Sequence, residues 1–335
     1  MQREMFDLII VGAGPIGLEL AILAKRAGLK YLVLEKGTIV NAIYHYPTYM
    51  TFFTTSERLE IGGHPLITAI DKPTRKEALD YYRKVSSNEG LNLKTFHEVK
   101  GLKCKGEHFS LNVHHENETF ELEARKVAIA TGYFDNPKKL GVPGEDLPHV
   151  SHYYSEAHSF YGREVTIIGA GSSAADAALD LYRAGAKVTI VHRGSDFRHS
   201  LKYWIRPNLE NRVKEGAIKA YFNSVVKEIS QRQVTLERYG ESISIPTSQV
   251  FALTGYFAST NLIEQVGVNI SPGDYSAELN PESFESNIRG LYIVGSAGFG
   301  IRTSDVFIEN GLVHAHKAIK DMVTKLKGEV MLTLG

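Results

Sequence analysis

The sequence contains two copies of a unit made of a strand, a glycine turn, a helix and a second strand. In the first copy, the apolar run at residues 6–11 leads into the turn at residues 12–17 (GAGPIG), and helical spacing of apolar residues follows. A second apolar run, residues 31–34, ends at Glu35. This order is typical of a parallel α/β unit that binds a dinucleotide, with the pyrophosphate at the helix N-terminus.

The second copy repeats this construction with different chemistry at its end. Its turn is residues 169–174 (GAGSSA), and its second strand is residues 187–191. His192 comes 23 positions after the first glycine of this turn, and the same separation lies between Gly12 and Glu35 in the first copy. The repeat predicts two dinucleotide-binding units in one chain.

The residues that follow the two second strands predict which nucleotide each unit binds. Glu35 can accept hydrogen bonds from ribose hydroxyls and would repel a 2′-phosphate. His192 and Arg193 stand at the equivalent place, and the Arg193 guanidinium can hold a 2′-phosphate bidentately. We therefore predict FAD at the first turn and NADPH at the second, with Arg198 as a further contact to the NADPH phosphate. The alternative for Arg193 is a solvated surface charge.

The composition excludes several other classes of protein. The 335 residues predict about two domains. Lys plus Arg and Asp plus Glu each total 38, so no overall field attracts nucleic acid or an anionic membrane. Cys104 is the only cysteine, which excludes an internal disulfide framework, a Cys-x-x-Cys redox pair and a thiolate zinc site. Because His114 and His115, like His314 and His316, do not share a face, we expect no metal.

The apolar segments do not indicate a membrane protein. No stretch reaches 18 uninterrupted apolar residues. Glu4 and Asp7 interrupt the apolar start of the chain, which speaks against a signal peptide. We expect a soluble, cytoplasmic protein.

Repeated and flanking segments predict how the chain is divided. Thr-Gly-Tyr-Phe follows an apolar strand at residues 131–134 and again at residues 254–257, and each copy is expected to close one nucleotide unit. Residues 99–125 predict a three-stranded antiparallel insert. The predicted domains are an FAD domain at residues 1–138 and 257–335, a linker at residues 139–149, and an NADPH domain at residues 150–256.

The predicted helices and the last strand complete this division. The helix of the second unit is expected over about residues 175–183. Residues 290–295 predict a strand, and residues 305–325 predict a long terminal helix with Ser304 as its N-cap. If this tail returns to the FAD domain, the positive end of the helix could stabilise a reduced flavin; an ordinary covering helix is the alternative.

Four further segments carry a resemblance to a known family. With its paired nucleotide units, the chain resembles the two-domain flavoprotein reductases of the thioredoxin reductase type. Residues 43–56, 131–137, 201–207 and 306–311 narrow this resemblance to the bacillithiol disulfide reductase family, also called bacilliredoxin reductases, over essentially the whole chain. The resemblance implies an α/β fold with two Rossmann-like (three-layer) dinucleotide-binding domains, a homodimer, and electron transfer from NADPH through FAD to a small-molecule disulfide.

The resemblance also implies site residues by position. For FAD these are Gly12, Gly14, Pro15, Ile16, Gly17, Glu35, Lys36, His45, Thr51, Phe52, Thr131, Gly132, Gly295 and Ser296. For NADPH they are Gly169, Gly171, Ser172, Ser173, His192 and Arg193, and Arg198 is added from the basic run that follows Arg193. The aromatic-rich segment around His45, Thr51 and Phe52 has a packing role as its alternative.

Two positions depart from the family pattern. Ile16 stands where family members often carry the cysteine proposed as the redox thiol, and an aliphatic side chain cannot attack a disulfide. Ser296 follows Gly295 where related reductases commonly have aspartate. We therefore expect the fold and cofactors of the family with no catalytic protein residue, because the chemistry belongs to the flavin.

Several functions remain open on the sequence alone. The first is an NADPH-dependent flavoprotein that reduces a low-molecular-weight disulfide, a redox carrier protein or another external acceptor. An enzyme like ferredoxin/flavodoxin–NADP reductase or a class B-like flavin monooxygenase is the alternative. A further alternative is a flavin-binding redox sensor without useful turnover. Slow turnover with every acceptor, together with redox-dependent partner binding, would favour the sensor.

Overall fold

A computed structural model describes residues 4–199 and 201–333 of the chain and divides them into two compact units. The first unit comprises the described residues up to 44, residues 50–136 and those from 256 onward. The second unit comprises residues 45–49 and the described residues between 137 and 255. Six residues lie outside the described part: residues 1–3, 334 and 335 of the predicted FAD domain, and residue 200 of the predicted NADPH domain.

Strands and helices are numbered here in chain order. The strands are β1 (Met5–Val11), β2 (Tyr31–Leu34), β3 (Leu93–Lys94), β4 (Glu98–Lys105), β5 (His108–His115), β6 (Glu118–Ile129), β7 (Val150–Ser151), β8 (Glu164–Ile168), β9 (Lys187–Val191), β10 (Lys219–Tyr221), β11 (Ser224–Ile229), β12 (Gln233–Arg238), β13 (Glu241–Pro246), β14 (Gln249–Ala252) and β15 (Leu291–Ile293). The α-helices are α1 (Pro15–Arg26), α2 (Asn41–Tyr44), α3 (Arg75–Asn88), α4 (Ser172–Arg183), α5 (Arg206–Lys214), α6 (Asn261–Glu264) and α7 (Ile308–Thr333).

The first unit is built on one mixed sheet with the order β3-β2-β1-β6-β5-β4, and β15 also pairs with β6. Strands β1, β2, β3 and β15 join the sheet by parallel pairing, whereas β4, β5 and the first half of β6 form an antiparallel meander. The predicted antiparallel insert is thereby confirmed. Its third strand continues directly into the central strand of the nucleotide unit, because β6 pairs with β5 early and with β1 and β15 later.

The second unit contains two separate sheets. Five parallel strands have the order β10-β9-β8-β14-β7, and an antiparallel sheet has the order β11-β12-β13. The sequence analysis did not predict this second antiparallel sheet. Its alternation of apolar and polar residues is the signal that could have found it, since Val234, Leu236 and Ile245 are buried between less buried neighbours.

The central strands are buried because their side chains are apolar on both faces. Leu8, Ile9 and Ile10 are completely buried in β1, and Ile167 is completely buried in β8. Such continuous apolar runs are typical of parallel strands that are covered on both sides. The predicted α/β class is confirmed in both units.

The ends of two helices differ from the sequence-based expectation. Helix α4 begins at Ser172, earlier than expected, because the turn leads straight into it with Gly171 as the N-cap. Helix α7 begins at Ile308, so the prediction of a helix from residue 305 with Ser304 as N-cap is wrong. The side chain of Asn310 accepts a hydrogen bond from the Phe307 backbone N–H (2.7 Å) and donates to the Asp305 carbonyl (2.8 Å), which organises the chain ahead of the helix.

Helix α7 packs against α1, and its side chains form hydrogen bonds with residues of β6 and β15. Nε2 of His316 lies 2.9 Å from the buried Glu19 carboxylate on α1. Near the other end, Glu329 pairs with the buried Lys126 of β6 (2.6 Å) and with Arg125 (2.9 Å). These contacts hold the helix along the unit that carries the first glycine turn.

The described residues hold neither a membrane-spanning helix nor a cluster of metal ligands. In residues 4–199 and 201–333, none of the helices combines the length and the apolar character needed to cross a membrane. Within the same part of the chain, no three side chains of the His, Cys, Asp and Glu types converge as metal ligands.

Candidate cofactor-binding sites

The first glycine turn leaves no room for side chains where it packs and leaves open space where a ligand would approach. Gly12 has φ +111°, and a Cβ there would lie 2.5 Å from the Ala130 carbonyl oxygen. A Cβ on Gly17 would lie 2.1 Å from the Gly12 carbonyl oxygen. At Gly14, the N-cap of α1, no described residue other than its two chain neighbours has an atom within 4 Å of the Cβ position, and none of the described side chains caps the helix. An uncapped helix N-terminus facing open space fits a pyrophosphate.

Glu35 is a buried acid that ties this turn to the loop after β2. One carboxylate oxygen accepts a hydrogen bond from the Ala13 N–H (2.8 Å), and the other accepts one from the Gly37 N–H (2.8 Å). Burial raises the pKa of Glu35, and these backbone donors oppose that rise. Each carboxylate oxygen keeps a second lone pair, so the group can still accept from a ribose hydroxyl. Lys36, also predicted at the flavin site, pairs with Asp135 at 2.9 Å.

Two turns that were predicted separately from sequence lie side by side in the first unit. Gly132 has φ +67°, and a Cβ there would lie 3.9 Å from the Ser296 hydroxyl oxygen. The turn at residues 131 and 132 follows β6, and the turn at Gly295 and Ser296 follows β15. Since β6 and β15 are parallel neighbours, their carboxyl ends meet at one edge of the sheet.

His314 supports this second turn, a role that the sequence analysis missed. Its Nδ1 accepts a hydrogen bond from the Gly295 N–H at 3.2 Å. The ring is buried and stacks on Phe284 at a centroid distance of 3.7 Å. Burial, and secondarily the charge of Lys317, lower the pKa of His314 to about 4, so the ring is a neutral acceptor at neutral pH. The sequence shows only that His314 and His316 are two positions apart, whereas tertiary packing creates the contact between His314 and Gly295.

Ile16 joins the first glycine turn to the Gly295 turn and to α7. Its side-chain carbons lie 3.5 Å from the Cβ position of Gly295 and 3.1 Å from that of Gly311. Both neighbours are glycines, so the isoleucine fills the space between them. The position predicted to lack a redox thiol is therefore a packing position, with Pro15 beside it as the first residue of α1.

The aromatic-rich segment is divided between the two units. His45 is exposed and belongs to the second unit, whereas Thr51 and Phe52 belong to the first. Thr51 forms an antiparallel bridge with Thr74. Phe52 is buried, and its N–H donates to the Pro73 carbonyl at 2.9 Å. This local packing accords with the alternative role that the sequence left open for the segment.

The second glycine turn has the same open N-terminus as the first. Gly169 has φ +134°, and a Cβ there would lie 2.3 Å from the Leu253 carbonyl oxygen. Gly171 is the N-cap of α4 without a side-chain cap, and Ser172 and Ser173 are the first helical residues. Cδ of Arg198 lies 3.8 Å from the Cβ position of Gly171. This arrangement fits a second pyrophosphate next to a cation.

A histidine and two arginines lie near this second turn. His192 and Arg193 follow β9, and the N–H of Arg198 donates to the Ala170 carbonyl within the turn (3.2 Å). Burial lowers the pKa of His192, and the charges of Arg198 and Arg193 lower it further. In the part of the chain that the structure describes, neither arginine forms a salt bridge with a carboxylate. The group is suited to bind an anion.

Lys138 also belongs to this basic group, and sequence reasoning did not find it. Burial lowers the pKa of Lys138, and the charges of Arg198 and Arg193 lower it further. No local signal pointed to this residue, since it lies 55 positions before Arg193 in the sequence. Only the folding of the second unit brings the two together.

Comparison with known proteins identifies the class to which these paired turns belong. A sequence profile described as pyridine nucleotide-disulphide oxidoreductase matches residues 9–295. The bacilliredoxin reductase Bdr of Bacillus subtilis is 40% identical over 315 residues, which cover 91% of this chain and 94% of that protein. The chain therefore belongs to the pyridine nucleotide-disulphide oxidoreductases and, within them, to the bacilliredoxin reductase family, which confirms the resemblance found in the sequence.

Solved structures agree with this assignment. The bacillithiol disulfide reductase Bdr (YpdA) of Bacillus cereus superimposes with a TM-score of 0.94 at 37% identity, covering 96% of this chain and all of that one. The corresponding enzyme of Staphylococcus aureus gives a TM-score of 0.90 at 40% identity, with coverages of 96% and 99%. The protein is thus a flavin-dependent oxidoreductase with two Rossmann-like units of the thioredoxin reductase type.

Proposed function

We propose that this protein takes electrons from NADPH through FAD and passes them to a low-molecular-weight disulfide of the bacillithiol disulfide type, without a redox cysteine of its own. The observation that carries the cofactor assignment is the contrast between two equivalent turns. The first ends at the buried acid Glu35, and the second ends among His192, Arg193 and Arg198. The disulfide acceptor is proposed from the similarity to bacilliredoxin reductases.

The residues that hold the two cofactors follow from this assignment. We place FAD in the first unit, which nearly coincides with the predicted domain of residues 1–138 and 257–335. We place NADPH in the second unit, which contains the predicted linker of residues 139–149 and all but the last residue of the predicted domain of residues 150–256. When bound, the two cofactors supply hydride transfer and the onward delivery of electrons. The chain supplies the uncapped N-termini of α1 and α4 for the pyrophosphates, an acid for the flavin-side ribose, and cations for the 2′-phosphate.

The reaction proceeds without a protein thiol. Cys104 lies exposed on β4, where its Sγ donates to the Gly106 carbonyl, and Ile16 is an aliphatic packing residue. Two electrons and two protons convert the disulfide into two thiols, so the reduced flavin and solvent protons complete the balance. The ferredoxin/flavodoxin reductase and monooxygenase alternatives are not favoured, because the most similar relatives reported above are bacilliredoxin reductases.

The remaining features of the proposal follow the family. We propose a cytoplasmic homodimer that binds neither metal nor nucleic acid. Light scattering coupled to size-exclusion chromatography tests the assembly, and a monomeric mass at micromolar concentration would contradict it.

The central experiment is an anaerobic half-reaction. The purified protein is reduced with one equivalent of NADPH and mixed with bacillithiol disulfide while flavin absorbance is recorded. We expect rapid reoxidation with release of two thiols per flavin. A flavin that stays reduced would overturn the proposed acceptor, while flavin reduction by NADPH in the first step would still support the cofactor assignment.

A substitution at Ile16 tests whether the missing thiol limits the reaction. We compare Ile16→Cys with Ile16→Val, which retains an aliphatic side chain and has no thiol. We expect all three proteins to reoxidise with the disulfide at rates within about threefold of one another, after correction for flavin content. Much faster flavin reoxidation in the cysteine variant alone would show that direct electron transfer from flavin to disulfide is slower than transfer through a thiol.

A further inference from the structure

Lys138 is held at the end of β14 by its own backbone. Its N–H donates to the Gly255 carbonyl (2.8 Å), and its carbonyl accepts from the Thr254 hydroxyl (2.5 Å). Cδ of the lysine lies 4.0 Å from the Cβ position of Gly255, so the stem follows a residue that has no side chain. The backbone of Lys138 is therefore anchored at the end of β14, and its side chain begins along Gly255.

Among the described residues, no carboxylate forms a salt bridge with Lys138. The side chain is partly buried, and its pKa is lowered first by this burial and then by repulsion from Arg198 and Arg193. Within residues 4–199 and 201–333, none of these three cations forms a salt bridge. The adjacent Lys139 behaves differently, since it is exposed and pairs with Asp146 at 3.1 Å. Like charges that are partly withdrawn from water are stabilised when an anion binds among them.

The strand order places these cations on both sides of the second glycine turn. Strand β8, which leads into the turn, lies between β9 and β14. Arg193 follows β9, Lys138 is attached to the end of β14, and Arg198 lies over Gly171. In dinucleotide-binding units the adenine ribose lies at the end of the second strand, and the pyrophosphate lies at the turn. Lys138 is therefore on the pyrophosphate side, away from the strand that positions a 2′-phosphate.

We propose that Lys138 neutralises the pyrophosphate of the nicotinamide dinucleotide bound at the second turn, whereas Arg193 recognises the 2′-phosphate. This inference rests on the proposed function, because it assumes that the second turn holds the nicotinamide dinucleotide. It divides the basic group into two roles. Lys138 contributes to the affinity for both NADPH and NADH, and Arg193 sets the preference between them.

The test compares Lys138→Met, which keeps the length of the stem, with Lys139→Met as a matched control. Dissociation constants for NADP⁺ and NAD⁺ are measured on the oxidised holoprotein by calorimetry. Adenosine 2′-monophosphate, which has no pyrophosphate, is measured by competition with NADP⁺. We expect Lys138→Met to weaken NADP⁺ and NAD⁺ equally, by about tenfold, and to leave adenosine 2′-monophosphate unchanged. Lys139→Met should match the wild type with all three ligands.

Each other outcome has a defined meaning. Unchanged affinities in Lys138→Met, at wild-type thermal midpoint and flavin content, would overturn the role of Lys138 alone. A selective loss of NADP⁺ and adenosine 2′-monophosphate would overturn the proposed division, because it would place Lys138 at the 2′-phosphate. If the wild-type protein bound neither dinucleotide, the proposed function itself would fail.

Discussion

The two glycine-turn units have nearly the same backbone and different chemistry at their ends. In each, the first glycine has positive φ and donates its N–H to the last residue of the second strand, Gly12 to Leu34 (2.8 Å) and Gly169 to Val191 (2.9 Å). In each, a glycine is the N-cap of the helix and has no side-chain cap. The shared backbone offers an uncapped helix N-terminus twice, which fits a pyrophosphate in each unit, so the backbone alone does not choose the nucleotide.

We propose that the choice of nucleotide depends on the residues that follow the second strand of each unit. Glu35 is buried and accepts two backbone hydrogen bonds, whereas Arg193 lies in a group of cations without carboxylate partners in the described chain. A carboxylate beside a 2′-phosphate is repulsive, and a guanidinium there is attractive. Under the proposed function, the residues after the second strand thus suit a common fold to two different ligands.

The units also differ in how closely the helix approaches the turn. A Cβ on Gly17 would collide with the Gly12 carbonyl oxygen at 2.1 Å. Ala174 occupies the equivalent place in the second unit, and its Cβ lies 3.7 Å from the Cβ position of Gly169. The first helix therefore requires glycine where the second accepts alanine.

The largest expected effect comes from Gly17→Ala. The added methyl group has no space against backbone, so the turn and α1 must separate, and we expect about 4 kcal/mol or more of destabilisation with loss of bound flavin. Gly14→Ala is the matched control, because its Cβ meets open space; this variant should keep the thermal midpoint of the apoprotein while losing flavin affinity. Thermal unfolding and flavin content per chain check both. A Gly17→Ala protein that folds and retains flavin would remove the distinction between the two turns.

The next effect concerns the charges that distinguish the units. Arg193→Ala should raise the KM for NADPH by roughly 30-fold and leave the KM for NADH nearly unchanged, because only NADPH carries the 2′-phosphate. Steady-state reduction of ferricyanide with each cofactor measures this. Arg183→Ala, an exposed arginine in the last turn of α4, serves as the control and should change neither value. Equal losses with both cofactors would place Arg193 at the pyrophosphate instead.

A pH effect distinguishes the histidines of the two units. His314 is neutral in the folded protein because its pKa is lowered from 6.5 to about 4, so the unfolded state binds a proton more readily. Stability is then complete above pH 6.5 and decreases as the pH falls toward 4, by about 2 kcal/mol between pH 7.5 and pH 5. His314→Gln should remove this component of the pH dependence in urea unfolding, whereas the exposed His158→Gln should keep it. An unchanged slope in His314→Gln would contradict the assignment.

The smallest expected effect is at Ala174, the position of the second unit that is equivalent to Gly17. Ala174→Gly should cost only about 1 kcal/mol, from lost helix propensity and a lost buried methyl group. Its affinity for NADP⁺ should stay within about twofold of wild type. Calorimetric titration and thermal unfolding measure the two quantities. A loss as severe as that of Gly17→Ala would show that the second turn is packed as tightly as the first.

The local features of both units could be predicted from the sequence because they depend on nearby residues. The glycine turns, the strands before and after them, and the meander of β4, β5 and β6 all arise from short-range periodicity and glycine conformational freedom. The start of α7 was misplaced because Asn310, a residue inside the helix, organises the preceding chain in place of a serine N-cap. The antiparallel sheet of the second unit was missed although its alternation is visible in the sequence.

The sequence by itself determined that this chain has two glycine-turn units, one ending at an acidic residue and the other at basic residues. Turn geometry and side-chain charge depend on residues that are close together in the sequence. The tertiary structure decided which distant residues serve those turns. His314 reaches Gly295 through the packing of α7, and Lys138 approaches Arg193 and Arg198 through the end of β14. Such contacts depend on how strands are ordered in a sheet, and no local pattern specifies that order.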